Sequence, residues 1–73
     1  MDTPSRMKVF RVVAGLSQAD LADKIHSHQI RISRIERGVG SPPDPNEASA
    51  IAEALGVSVV ELFPNLGRSL LYE

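Results

Sequence analysis

Two histidines one residue apart, His26 and His28, are the side chains in this sequence that first suggest chemistry. Imidazoles ligate metals, but a closed zinc site needs four donors, and there is no cysteine and no third histidine to supply the rest. Nucleophilic catalysis finds no support either. The chain has no thiol, no Ser–His–Asp spacing, no glycine-rich phosphate loop, and too little bulk to enclose a substrate. No cofactor and no small-molecule ligand is expected, and the sequence does not read as an enzyme. The segment "IHSHQIR", Ile25 to Arg31, reads better as a polar turn that feeds an exposed helix. That helix would carry Gln29, Ile30, Arg31, Ser33, Arg34 and Arg37 outward.

The elements that must position these residues announce themselves by their caps. "TPSR" puts Thr3 at an N-cap and Pro4 at the first helical position, where a missing N–H costs nothing. Met7, Phe10 and Ala14 then recur at helical spacing, and Gly15 stops the segment. "SQAD" starts a second helix, capped by Ser17 with Asp20 in its first turn, and Leu21, Ala22 and Ile25 form its inner face. A third is expected from about Gln29 to Arg37, with Ile32 and Ile35 inward and Gly38 as its left-handed stop. "DPNE" gives a fourth helix a capping box, Asp44 at the cap, Pro45 next and Glu47 reaching back, before Ala48, Ile51, Ala52 and Leu55. Ser58 and Glu61 frame a short fifth helix that ends near Phe63, where Pro64 breaks it. No stretch alternates with period two, so the fold class is all-α, a compact bundle of five short helices. The boundaries are residues 1–63 for the domain and 64–73 for a tail.

At 73 residues the chain makes one domain. A chain of that size buries only about 60% of its unfolded surface, so a partner subunit would add stability. No apolar run reaches the length of a membrane span, and "MDTPSRMK" lacks the apolar core of a signal peptide, so a cytoplasmic, nucleoid-associated protein is expected. The net charge is −1, but it is unevenly placed. Residues 1–37 carry Arg6, Lys8, Arg11, Lys24, Arg31, Arg34 and Arg37 against Asp2, Asp20, Asp23 and Glu36. Residues 38–73 carry Arg68 against Asp44, Glu47, Glu53, Glu61 and Glu73. The basic half is suited to a polyanion, and the acidic half would keep away from it.

Only His26, Ser27 and His28 join the second and third helices. So short a connection makes the helices cross steeply, as in a helix-turn-helix unit, which projects its second helix toward the major groove of DNA. Here the sequence resembles a known family. "LSQADLADKIHSHQIRISRIERG", Leu16 to Gly38, is similar to the helix-turn-helix of the XRE regulators, which are Cro-like and lambda-repressor-like. Ser17, Gln18, Leu21, Ala22, "ISRIE" and Gly38 carry the likeness, "ALGVSVVELF" resembles the family's closing segment, and the whole spans about residues 7 to 63.

The resemblance implies a lambda-repressor-like DNA-binding domain acting as a homodimer on a palindromic operator, with two recognition helices about 34 Å apart. By position, Gln18 would bond a phosphate and brace Gln29, and Gln29 would pair with adenine N6 and N7. Ile30 would lie against a thymine methyl, and Arg31, Arg34 and Arg37 would reach guanine or phosphate, with Ser33 on the same face. Arg11 and Glu36 occupy positions that pair the first helix with the recognition helix in similar proteins.

The chain departs from the pattern at the turn. His26 stands where the family has glycine with positive φ, Ser27 where it has a small aliphatic plug, and His28 where it has a hydroxyl cap. A strained, looser turn is expected. His28 is also placed to meet a phosphate, which would make binding weaken as pH rises through about 6 to 7. The loop "VGSPPDP", Val39 to Pro45, has no cation where relatives have basic residues, so backbone N–H groups of Gly38 to Ser41 would have to meet the phosphates. About four phosphate contacts per subunit would give a dimer a log–log salt slope near −7.

The tail "FPNLGRSLLYE" offers Leu66, Leu70, Leu71 and Tyr72 as a dimer contact, and Val9, Val12 and Val13 put a second apolar patch on the first helix. The function that follows is sequence-specific regulation of transcription, as a repressor or a self-controlling regulator. The alternative is a protein-interaction module or antitoxin-like partner that keeps the fold with little DNA binding.

Overall fold

Four of the five described helices begin where a short polar side chain takes the place of a missing backbone acceptor. The computed structural model describes residues 5–64, and five helices lie within them: α1 (Arg6–Val13), α2 (Gln18–Lys24), α3 (Gln29–Arg37), α4 (Pro45–Leu55) and α5 (Val59–Leu62). Thr3, Pro4 and the tail residues Leu66, Leu70, Leu71 and Tyr72 lie outside the described residues. The cap of α1 is Ser5, not the expected Thr3, and its hydroxyl accepts from the Lys8 N–H at 3.1 Å. Ser17 with Asp20, and Ser58 with Glu61, form reciprocal capping boxes at α2 and α5. The box expected at α4 is only half made. Asp44 accepts from the Glu47 N–H at 2.8 Å, but the Glu47 carboxylate turns away to Arg31.

Four of the five helix ends share one device. At the ends of α1, α3 and α4 a glycine in the left-handed region (Gly15, Gly38, Gly56) reverses the chain, and the next N–H reaches back to a carbonyl of the last turn. At the end of α2 the same motif is built on His26, with φ 55, the one non-glycine residue with positive φ among those described. The His26 N–H donates to the Asp23 carbonyl at 3.3 Å and the Ser27 N–H to the Ala22 carbonyl at 2.8 Å, so the turn is fully bonded. The loose turn expected from Ser27 is therefore not found; its backbone closes the motif as an aliphatic residue would.

The core is small and central. Met7, Leu21, Ala22, Ile32, Ile35, Ile51, Ala52 and Leu62 are buried together, with Phe10, Ile25, Leu55 and Phe63 packed at the margin. α2 packs mainly on α3, α1 on α5, and α4 on both α2 and α5. Ala14 does not join the inner face of α1. It is the exposed cap of that helix, and Arg11, four residues after Met7, takes the inward position. Ile32 and Ile35 are the apolar residues that seat α3, and its opposite side faces out.

Candidate nucleic-acid interface

At about 100° per residue, Gln29, Ile30, Ser33, Arg34 and Arg37 share one face of α3 roughly 140° wide. All but the half-buried Ser33 are exposed, Ile30 to 66%. A large aliphatic side chain left this open on a helix with two buried isoleucines is suited to an apolar contact outside the domain. Arg37 folds back, its Nε donating to the Ser33 carbonyl at 3.3 Å, whereas the Arg34 side chain is exposed and makes no hydrogen bond among the described residues. His28 caps α3 with extended backbone (φ −121), but its side chain makes no capping bond, as expected of an imidazole. That leaves the exposed ring and the first N–H groups of α3 directed outward, a setting favourable to an anion.

On one flank, α3 is fastened by a buried ion pair. Arg11 Nε donates to Glu36 Oε2 at 2.6 Å and its Nη2 to Oε1 at 3.2 Å, while Nη1 donates to the Leu16 carbonyl at 2.8 Å. The two side chains are 9% and 4% exposed, so the charges are nearly dry and depend on each other. Gln18 Nε2 donates to the same Glu36 Oε1 at 3.1 Å, and Gln29 Nε2 donates to Gln18 Oε1 at 3.4 Å. Four side chains from three helices thus form one continuous chain of hydrogen bonds that ends on the outer face.

The other flank holds a fastening the sequence did not reveal. Arg31 Nε and Nη2 donate to the two Glu47 oxygens at 2.8 and 2.5 Å, and Nη1 donates to the Ser41 carbonyl at 2.8 Å. The pair is about a quarter exposed and joins α3 to the first turn of α4 and to the intervening loop. The hydrogen bond to Glu47 holds the Arg31 pKa above its ordinary value, so its charge is secure but already matched. The loop N–H groups are also partly engaged. Those of Gly38 and Val39 close the end of α3, leaving those of Gly40 and Ser41 without an acceptor among the described residues. Away from the face, both capping bonds from Ser17, backbone first, hold the Asp20 carboxyl below its usual range.

Among the described residues no group of His, Asp or Glu is arranged to hold a metal, and no helix is long and apolar enough to cross a membrane.

Two packed helices joined by a tight turn, the second seated by its inner face and presenting an amide and cations on its outer one, define a helix-turn-helix DNA-binding domain. Residues 8–62 match the Helix-turn-helix family, and the chain belongs to it, as an XRE-like member with the lambda-repressor-like arrangement of five helices. No solved structure matches the chain.

Proposed function

We propose that the protein is a sequence-specific transcriptional regulator that binds an operator as a homodimer and acts as a repressor or a self-controlling regulator. The observation that carries this is the outer face of α3, which presents Gln29, Ile30, Ser33, Arg34 and Arg37 from a helix braced on both flanks. Rigid placement matters because a base edge is read by bonds of fixed geometry. Gln29 reads adenine, Ile30 packs on a thymine methyl, Arg34 reaches guanine or phosphate, and Gln18, His28, Ser33 and Arg37 meet the backbone. Arg31 is the least available of the cations, because Glu47 and Ser41 occupy all three of its nitrogens. Its contribution is to hold the loop against α3, with phosphate contact requiring exchange of partners. The exposed Val9, Val12 and Val13 of α1 supply apolar surface for a dimer, and the sequence of the tail offers Leu66, Leu70, Leu71 and Tyr72 besides.

The test is a fluorescence-anisotropy titration against DNA from immediately upstream of the protein's own coding region, at about 50 and 200 mM salt. Submicromolar binding that survives scrambled competitor, and is lost in Gln29→Ala and Arg34→Ala variants that keep their helical signal, is the expected result. Binding no tighter than to scrambled DNA, with no preference recovered from a randomised duplex pool, would refute the reading. A second reading, a module that keeps the fold to bind protein, is favoured by two observations. The loop has no cation, and Arg31 is already neutralised by Glu47.

A further inference from the structure

We propose that Glu36, buried and touching no DNA, is a positioning residue that decides which base Gln29 reads. The inference rests on the reading of α3 as a recognition helix and adds to it a source of specificity behind the face.

The argument is one of hydrogen-bond direction. A carboxylate only accepts. Both oxygens of Glu36 accept from the Arg11 guanidinium, which is itself donor-only. Whatever meets Glu36 from α2 must therefore donate. Gln18 does so with Nε2, and its Oε1 is then obliged to face away, toward Gln29. That oxygen also only accepts, so Gln29 must offer it an N–H, and does so at 3.4 Å. A glutamine on an open helix surface can present its amide in either sense, because oxygen and nitrogen ends are alike in size. Here the sense is inherited, residue by residue, from a buried charge.

What is left on Gln29 is one N–H and its Oε1, in a fixed order. Adenine offers an acceptor at N7 and a donor at N6, which match that pair. Guanine offers acceptors at both N7 and O6, and would set O6 against Oε1. The second N–H of Gln18 remains free for a phosphate, so one amide both takes its orientation from Glu36 and grips the backbone. If Glu36 carried an amide instead of a carboxylate, it could accept or donate, Gln18 could turn over, and Gln29 with it. Adenine would then lose its advantage.

The experiment uses the full chain and duplexes recovered by selection from a randomised pool. The base pair read by Gln29 is the one at which Gln29→Ala loses its preference. Dissociation constants are measured by anisotropy for the selected duplex and for the same duplex with adenine replaced by guanine at that position. Wild type is expected to discriminate by roughly 5- to 150-fold. Glu36→Gln is expected to reduce that ratio severalfold while leaving discrimination at the pair under Arg34 unchanged, which general loosening of the fold would not do. Because Glu36→Gln strands Arg11, a second variant, Arg11→Met with Glu36→Met, removes the pair together and keeps the site apolar and packed. It should show the same selective loss. In the free protein, the side-chain amide resonances of Gln18 and Gln29 should shift in both variants toward those of a solvated glutamine. Folded variants that keep the full adenine-to-guanine ratio would overturn the proposal while leaving the DNA-binding reading intact. A wild type with no sequence preference would overturn both, and unchanged amide resonances would show that the relay itself is absent.

Discussion

Replacing His26 by glycine should stabilise this protein, although it deletes an entire side chain. His26 holds φ 55 at the end of α2, in the left-handed region that the ends of α1, α3 and α4 fill with glycine at φ 70 to 76. The region costs a residue with a Cβ about 1–2 kcal/mol. Glycine escapes that strain but has more freedom to lose from the unfolded chain, which offsets about 0.4–1 kcal/mol. The balance is a gain of about 0.8 kcal/mol, or about 3–6 °C in Tm for a domain of this size. Nothing in the native contacts opposes it. The imidazole is exposed, no described residue hydrogen-bonds to it, and the backbone bonds of His26 and Ser27 need no side chain. Gly56→Ala is the mirror experiment. An added Cβ there meets no atom within 4 Å, so only the φ of 70 resists it, and a loss of similar size is expected. Urea melts followed by circular dichroism on the two variants measure both. A destabilised His26→Gly, or a neutral Gly56→Ala, would show that helix ends in this domain are not governed by backbone strain.

Other perturbations have equally definite outcomes. Glu36→Ala leaves Arg11 charged in a nearly dry site and should cost about 3–5 kcal/mol, a large part of the stability of so small a domain, whereas the paired change to methionines should cost far less; urea midpoints decide. Glu47→Gln should release Arg31 to phosphate, tightening DNA binding and making a dimer's log–log salt slope steeper by about 2, read from titrations at several salt concentrations. An unchanged slope would mean that Arg31 stays with Ser41 and away from the backbone of DNA. Asp20 titrates below the ordinary aspartate range when folded, so its support of α2 is complete above that range and fades as pH falls through the lowered value. Wild type should therefore exceed Asp20→Asn in stability at neutral pH, and the gap should close in acid melts.

What the sequence disclosed was governed by how local each cause is. Ser17 and Asp20 sit three residues apart, and a capping box needs nothing else, so the start of α2 was legible outright. The bounds of α3 were legible too, because Ile32 and Ile35 fix its inner face and Gly38 its end. Periodicity misled at α1. It placed Ala14 inside because alanine is apolar, while the inward position went to Arg11, whose burial is stable only because Glu36 and the Leu16 carbonyl wait for it from distant parts of the chain. The family likeness placed that pair; composition and spacing alone would have left Arg11 outside.

Glu47 shows the limit most clearly, and it changes how the charge of the site is counted. Three residues after a capping aspartate, local rules assign its carboxylate to the cap. A guanidinium that offers two parallel donors is a stronger partner than one backbone N–H, and the fold of residues 38–44 brings Arg31 within reach. Sixteen residues separate the pair in sequence, so no local pattern could announce it. Once it forms, the basic excess of residues 1–37 overstates what a polyanion meets. Arg11 is buried against Glu36, Arg31 is matched by Glu47, and the recognition face keeps Arg34 and Arg37. With two cations instead of three on that face, non-specific attraction should be weak. On the proposed function, discrimination between sequences then falls on the amide of Gln29, the apolar contact of Ile30, and the braces that hold both in place.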